Sequence, residues 1–181
     1  MSDPVKIALD AMGGDDAPRI VIAGANIARR RHPGIRFQLH GDESQMRPIL
    51  ERQRGLEEFV EIVHTDEMVQ PDDKPSQIVR SGRNTSMWRA IQSVKDGDAD
   101  GIVSAGNTGA LLAMAMLQLK RLAGIDRPGI ASFFPTMRGE TVMLDLGANL
   151  SCDARNLVQF AVMGEVFSRT LLGVSDPTVG L

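Results

Sequence analysis

The chain has one cysteine, Cys152, and three histidines, His32, His40 and His64, in 181 residues. A single thiol excludes a disulfide framework and a cysteine-built zinc site. The histidines show no metal-ligand spacing, so no metal is expected. Basic clusters are equally scarce: only Arg29-Arg30-Arg31 stands out, and a formal net charge of −3 leaves no footprint for nucleic acid. Those arginines fall at the end of an expected helix, where cations complement the dipole. Long apolar runs are missing too. Ala110 to Leu119 is the longest; it carries Gln118 and is too short to span a bilayer. The opening Met1-Ser-Asp-Pro-Val-Lys lacks the basic and apolar segments of a signal peptide, so a cytosolic location is the expectation.

Several catalytic signatures are also absent. No Gly-x-Ser-x-Gly elbow occurs, and no Ser/His pair offers assignable roles. The turn at Gly13 lacks the third glycine of a dinucleotide fingerprint, and the turn at Gly106 lacks the Lys-Ser/Thr end of a Walker loop. Neither a nicotinamide nor a nucleoside triphosphate is therefore indicated. Cys152 beside a helix start reads more readily as a packed side chain than as a nucleophile.

What remains is an ordinary globular composition, 43% hydrophobic and 24% charged, in a chain long enough for one domain, 1–181, with a real core. Strands and helices alternate. Val5 to Leu9 is a buried strand ending at Asp10. Ala11-Met-Gly-Gly-Asp-Asp16 forms a turn, and a helix runs from about Pro18 to Arg31 with Ile20, Ala23, Gly24 and Ile27 on one face. Ile35 to Leu39 is the next strand, Gly41-Asp42 a turn and cap, and a polar helix follows whose start Pro48 obscures. Phe59 to Val63 is a third strand. Thr65 to Pro75 is a polar loop, either a plain connection or an active-site flap. Ser76 to Ser81 is a helical turn, and Thr85 to Lys95 a helix with Met87, Ala90, Ile91 and Val94 on its core stripe.

Gly101-Ile-Val-Ser-Ala-Gly-Asn-Thr-Gly109 then reads as strand, glycine turn and helix start, followed by the apolar run to Leu122. Such a corner suits a phosphate oxyanion, because the first helical N–H groups have no intrahelical partner. It serves equally well as a tight turn. Ile130 to Phe134 and Thr141 to Asp145 are two strands whose short connection around Arg138-Gly139 requires an antiparallel pair. A helix from about Ala154 to Leu172 presents Leu157, Phe160, Ala161, Gly164 and Phe167 on one side. The pattern predicts a doubly wound, mostly parallel α/β layer with ligands at the carboxyl ends of strands.

Three strand ends close in glycine plus a polar residue: Asp10 with Gly13 and Gly14; Ser104 with Gly106, Asn107, Thr108 and Gly109; and Asp145 with Gly147 and Asn149. If the sheet is parallel in these parts, all three converge on one rim. Arg83 and Ser86, in Arg80-Ser-Gly-Arg83-Asn-Thr85-Ser86-Met87, supply a second candidate anion contact or simply a capped helix with solvated arginines.

Leu9-Asp-Ala-Met-Gly-Gly-Asp15, Lys74-Pro-Ser76, Thr85-Ser86-Met87, Val103-Ser-Ala-Gly-Asn-Thr-Gly-Ala-Leu111, Leu144-Asp-Leu-Gly-Ala-Asn149 and Leu157-Val-Gln-Phe-Ala-Val-Met-Gly164 together resemble the bacterial acyl-carrier-protein:phosphate acyltransferases, the PlsX family. The resemblance spans essentially the whole chain. It implies an αβα sandwich similar to phosphate acetyltransferases and isocitrate or isopropylmalate dehydrogenases, here truncated, since family members are longer. It also implies a transferase that needs no cofactor and moves a long fatty acyl group from acyl carrier protein to inorganic phosphate. The product feeds a glycerol-3-phosphate acyltransferase in phospholipid synthesis. A cytoplasmic homodimer attached peripherally to the membrane, through the part absent here, is implied as well.

From their positions at the strand ends, and not from the resemblance, Ser104, Gly106, Asn107, Thr108 and Gly109 are expected to cradle the anion, with Gly13, Gly14 and Gly147 lining it. Asn107, Asp10, Asp145 and Asn149 are the expected catalytic or orienting groups, and Arg83 and Ser86 outer phosphate contacts. Arg83 and Thr85 stand where the family pattern has lysine and serine; charge and hydroxyl survive, but proton transfer does not pass from Lys to Arg. A coenzyme A-dependent phosphate acyltransferase, a dehydrogenase of the same architecture, and a non-catalytic phosphate- or carrier-binding module are the competing readings.

Overall fold

The computed structural model describes residues 4–137 and 139–181, and the chain divides between Lys120 and Arg121 into two compact units. The first unit alternates strand and helix, with two helices in the crossover from β3 to β4: β1 (Lys6–Asp10), α1 (Arg19–Arg31), β2 (Arg36–Gly41), α2 (Glu43–Leu50), β3 (Val60–His64), α3 (Pro75–Ser81), α4 (Ser86–Asp96), β4 (Gly101–Val103) and α5 (Thr108–Leu119). All strand pairs are parallel and the order is β3-β2-β1-β4. The chain moves outward from β1 to β3, then crosses back to place β4 on the other side of β1. The order therefore reverses between β1 and β4, and in open parallel sheets ligands bind at that switch point, beyond the strand carboxyl ends.

Period-two alternation sorts the side chains between two faces. Leu9, Phe37 and Leu39 point to one face and bury with Ile22, Ala25, Met46, Leu50 and Leu56. Each such aliphatic or aromatic side chain contributes about 1.5–3 kcal/mol on full burial. On the opposite face Ala8 meets Ala90 and Ala99, small residues that let α4 lie close to the sheet. Met87 and Ile91 of α4 join Ala110 and Met114 of α5 and Val69 of the loop before α3 in a further cluster.

The fold class expected from the sequence is the one observed, with local differences. Helix α1 buries Ile22, Ala25 and Asn26, whereas Ile20 and Ile27 of the expected face are 52% and 53% exposed. Two stripes fit the helical period, and the buried one was disguised by Asn26, whose amide donates to Gln53 Oε1 at 2.6 Å. Helix α2 begins at Glu43, capped by Asp42, and runs through Pro48. Strand β2 extends two residues further than expected, to Gly41. The loop from Thr65 is not merely solvated: Thr65 and Val69 are buried, and Glu67 forms a parallel bridge with Thr85.

In the second unit β5 (Ala131–Thr136) and β6 (Gly139–Leu144) form the expected antiparallel ribbon, in register Ala131 with Leu144. Of the turn expected around Arg138-Gly139, Arg138 lies outside the described residues. Helix α6 (Ala154–Phe167) opens with a reciprocal capping box between Asp153 and Asn156, and its last stretch, Ser168–Leu172, widens to π geometry. Phe160 is buried and Phe167 packs on Phe133, ring centroids 5.5 Å apart. Leu157 of the expected inner side is 41% exposed.

Candidate functional site

Asp10 ends β1 with its carboxylate only 1% exposed. Burying a carboxylate is costly unless hydrogen bonds replace water. Two serines supply them: Ser86 Oγ, at the start of α4, donates to Oδ1 at 2.6 Å, and Ser104 Oγ, just past β4, donates to Oδ2 at 2.7 Å. Ser104 Oγ in turn accepts from the Gly106 N–H at 3.1 Å. One buried acid thus ties the carboxyl ends of β1 and β4 to the first turn of α4. Burial pushes the Asp10 pKa above its ordinary 3.8, and the bonds from Ser86, Ser104 and the backbone at Met12 and Gly13 oppose that without cancelling it.

The two glycine turns meet at the switch point. A Cβ on Gly13 would lie 2.4 Å from Asp10 Oδ2 and 3.0 Å from the Gly106 nitrogen. One on Gly106 would lie 3.1 Å from Met87 Cε and 3.3 Å from Gly13 Cα. Gly14 has φ +103°, a region L side chains rarely adopt, with Ala105 O 3.2 Å from its would-be Cβ. No side chain fits between these turns, and their backbones run against each other. Sequence spacing showed both turns; it could not show that they touch.

Asn107 caps α5. Its Oδ1 accepts from the Ala110 N–H at 3.0 Å, and its Nδ2 donates to the carbonyls of Pro71 and Asp73, each at 3.1 Å. The amide expected to meet an anion is thus bonded to the loop before α3. Thr108 and Gly109 are exposed at the helix start, where the first N–H groups have no intrahelical partner. A Cβ on Gly109 would approach Pro75 Cγ to 2.8 Å. The contributions of Pro71, Asp73 and Pro75 were not assigned from the sequence, although the loop that holds them had the reading of an active-site flap and Lys74-Pro-Ser76 belonged to the family pattern.

Ser86, expected as an outer phosphate contact, is fully buried with its proton directed to Asp10. Arg83 is exposed. Cys152 is exposed rather than packed.

Asp145, Gly147 and Asn149 belong to the second unit. Strand β6 pairs with β5 and not with the parallel sheet, so the condition for all three strand ends to share a rim is not met. The short connection that makes β5 and β6 a hairpin is the reason. Asp145 Oδ1 accepts from the N–H of Ile130 and Ala148, and Oδ2 from the N–H and the side-chain amide of Asn149. Asn149 Nδ2 also donates to Pro128 O at 2.9 Å. Burial raises the Asp145 pKa, but these donors outweigh it and hold the carboxyl below 3.8. A carboxylate so fully engaged is a brace for two loops and a poor proton acceptor. A cavity of about 540 Å³ lies beside β6 and α6, and Asp145 alone of the expected site residues lines it.

Asp42, His64 and Asp66 bring potential ligand atoms within 4.8 Å of one another. Their atoms already have other work: Asp42 caps α2, His64 Nδ1 accepts from the Glu43 N–H at 3.2 Å, and Nε2 faces Asp66 Oδ1 at 3.1 Å. The positive end of a helix dipole also disfavours a cation there.

Residues 5–181 match the family described as "Fatty acid synthesis protein". The chain is 61% identical over its full length to a phosphate acyltransferase of Rhodospirillum centenum, covering 51% of that protein. It is 55% identical to one of Rhodospirillum rubrum and 52% identical to one of Paramagnetospirillum magneticum, covering 52% of each. The chain spans about half the length of these relatives. It belongs to the fatty acid synthesis protein family.

Proposed function

We propose that this chain carries the phosphate-handling part of a phosphate acyltransferase that moves a long-chain fatty acyl group from acyl carrier protein to inorganic phosphate. The observation that supports this best is the meeting of Gly13 and Gly106 at the β1–β4 switch point, beside the start of α5. Glycine backbone and a positive helix end suit a small oxyanion. The names of the relatives, phosphate acyltransferase, agree with it.

In the proposed reaction a phosphate oxygen attacks the thioester carbonyl carbon. The tetrahedral intermediate collapses, the C–S bond breaks, and the carrier's thiolate leaves and takes the proton that the attacking phosphate gives up, leaving acyl phosphate and the free thiol. Holding phosphate against the carbonyl and stabilising the oxyanion are the demands on the protein, and no acyl-enzyme is needed. Ser104, Gly106, Thr108 and Gly109 form the cradle, with Gly13 and Gly14 as its floor. Asp10 and Ser86 fix its shape from below, Asn107 borders it, and Arg83 supplies outer positive charge. Asp145, Gly147 and Asn149 orient the second unit's loops.

Acyl carrier protein as donor, delivery to a glycerol-3-phosphate acyltransferase, a homodimer, and a cytoplasmic enzyme peripheral to the membrane belong to the same reading. No helix among the described residues is long and apolar enough to cross a membrane. The test incubates the chain, beside the full-length Rhodospirillum centenum relative, with long-chain acyl carrier protein with and without phosphate, and traps acyl phosphate as hydroxamate. Phosphate-dependent product from acyl carrier protein supports the reading. Product only from acyl coenzyme A moves the donor to the thioester of that cofactor. Absence of product from both proteins with both donors overturns it.

A further inference from the structure

The loop between β3 and α3 is tied down at both ends in a way that the acyltransferase reading does not require. At its start, Thr65 is buried and donates from Oγ1 to Asn84 O, while Glu67 O accepts from the Ser86 N–H at 2.9 Å. Val69 is 7% exposed and packs among Met87, Ile91, Ala110 and Met114. Near its end the loop crosses the start of α5. There its only side-chain tie to the glycine turn, among the described residues, is the Asn107 amide, which reaches two carbonyls at once, Pro71 O and Asp73 O. Pro75 then rests on Gly109.

These anchors differ in kind. Val69 is held by apolar burial and Glu67 by the backbone of a helix start. Asn107 holds with two neutral hydrogen bonds, the one to Pro71 O lying open to solvent, and neutral bonds of this kind contribute only modestly. An anion at the helix start is a stronger acceptor than a carbonyl, because charge-assisted bonds are about twice as strong. The segment is therefore firmly anchored at Glu67 and Val69, and released most easily at 71–73.

We propose that residues 70–74 are a strap latched across the start of α5 by the Asn107 amide, and that a phosphate group opens it by drawing that amide away from Pro71 and Asp73. The ligand class rests on the phosphate acyltransferase reading; the latch rests on the two hydrogen bonds. Asn107 is a positioning residue in this role. Its Oδ1 continues to cap α5 while its Nδ2 changes partner.

Hydrogen exchange measured by mass spectrometry on the 181-residue chain separates these two layers. Asn107→Asp keeps the cap oxygen and removes both donors; Asn107→Ser, also a good cap, removes them without adding charge. Both variants are expected to speed exchange in 70–74 by about tenfold or more, the order expected from two lost bonds, with β1 and β2 unchanged. Inorganic phosphate, against chloride at matched ionic strength, is expected to speed the same segment in the unaltered chain and to add nothing in either variant. Unchanged exchange in both variants overturns the latch. Phosphate that protects 104–110 yet leaves 70–74 as it was overturns the competition while sparing the phosphate site. Phosphate that alters neither segment overturns ligand opening, and the hydroxamate assay then decides independently whether the acyltransferase reading stands.

Discussion

Ser104 Oγ stands 2.7 Å from Asp10 Oδ2 across 94 residues of sequence, joining the ends of β1 and β4 at the point where the strand order reverses. Ser86 holds the other oxygen of the same carboxylate. The acid has no open face toward solvent, so its part is to fix the turn on which the cradle is built.

Replacing Asp10 with Asn should therefore lower stability, by about 1–3 kcal/mol, through loss of charge-assisted bonds at a buried site. Ser104→Ala should act less strongly, and the double variant should fall short of the sum because both changes break one contact. Urea midpoints of the three variants check this; strict additivity would show that the pair does not couple. The sign with pH is also set. The folded carboxyl sits above 3.8, so it holds its proton more readily than the unfolded one, and its contribution declines as pH rises through the raised value. The Asp10→Asn variant should lose that decline.

Gly13→Ala and Gly106→Ala should each destabilise by about 1–3 kcal/mol or more, since overpacked atoms force backbone shifts. Gly13 is the more severe: its Cβ would meet the Asp10 carboxylate at 2.4 Å and backbone at 3.0 Å, whereas Gly106 chiefly meets the flexible end of Met87. Thermal melting that ranks Gly106→Ala as the more harmful would count against this packing.

His40 is fully buried on the α4 side of β2, with Ser93 Oγ 3.4 Å from Nε2. Burial first, and then the nearby Arg89 charge, lower its pKa to about 4, while Glu61 acts the other way. A base whose folded pKa lies below its unfolded 6.5 binds fewer protons when folded, so stability falls as pH drops from 6.5 towards 4. The full loss is of the order of 3 kcal/mol. His40→Gln should flatten this slope, as read from urea unfolding at several pH values; an unchanged slope would assign it to other groups.

Asp145→Ala removes the acceptor for Ile130, Ala148 and Asn149 and should loosen 128–130 together with 145–149. Faster amide exchange in both segments, with β1 to β4 unaffected, is the expected outcome. Loosening of 145–149 alone would mean that Asn149 and Pro128 hold the other loop without it.

Much of this molecule was legible locally. Alternating apolar runs and turn residues located every strand of the parallel sheet, and the strand–glycine–helix spacing placed the start of α5, because turns and helix starts depend on residues within one helical turn. The short polar link between β5 and β6 decided that they pair antiparallel. Residues distant in sequence were settled only by packing. Two stripes of α1 satisfied the same helical period, and the choice fell to the one that meets Phe37 and Leu39. Ser86 looked like a ligand contact until the crossover brought it to Asp10, 76 residues away. The Asn107 amide was spoken for by carbonyls that no side-chain pattern announces. Periodicity and turn chemistry act over a few residues and can be read along the chain; the partner of a buried polar group depends on which elements the sheet order makes neighbours, and that is decided in three dimensions.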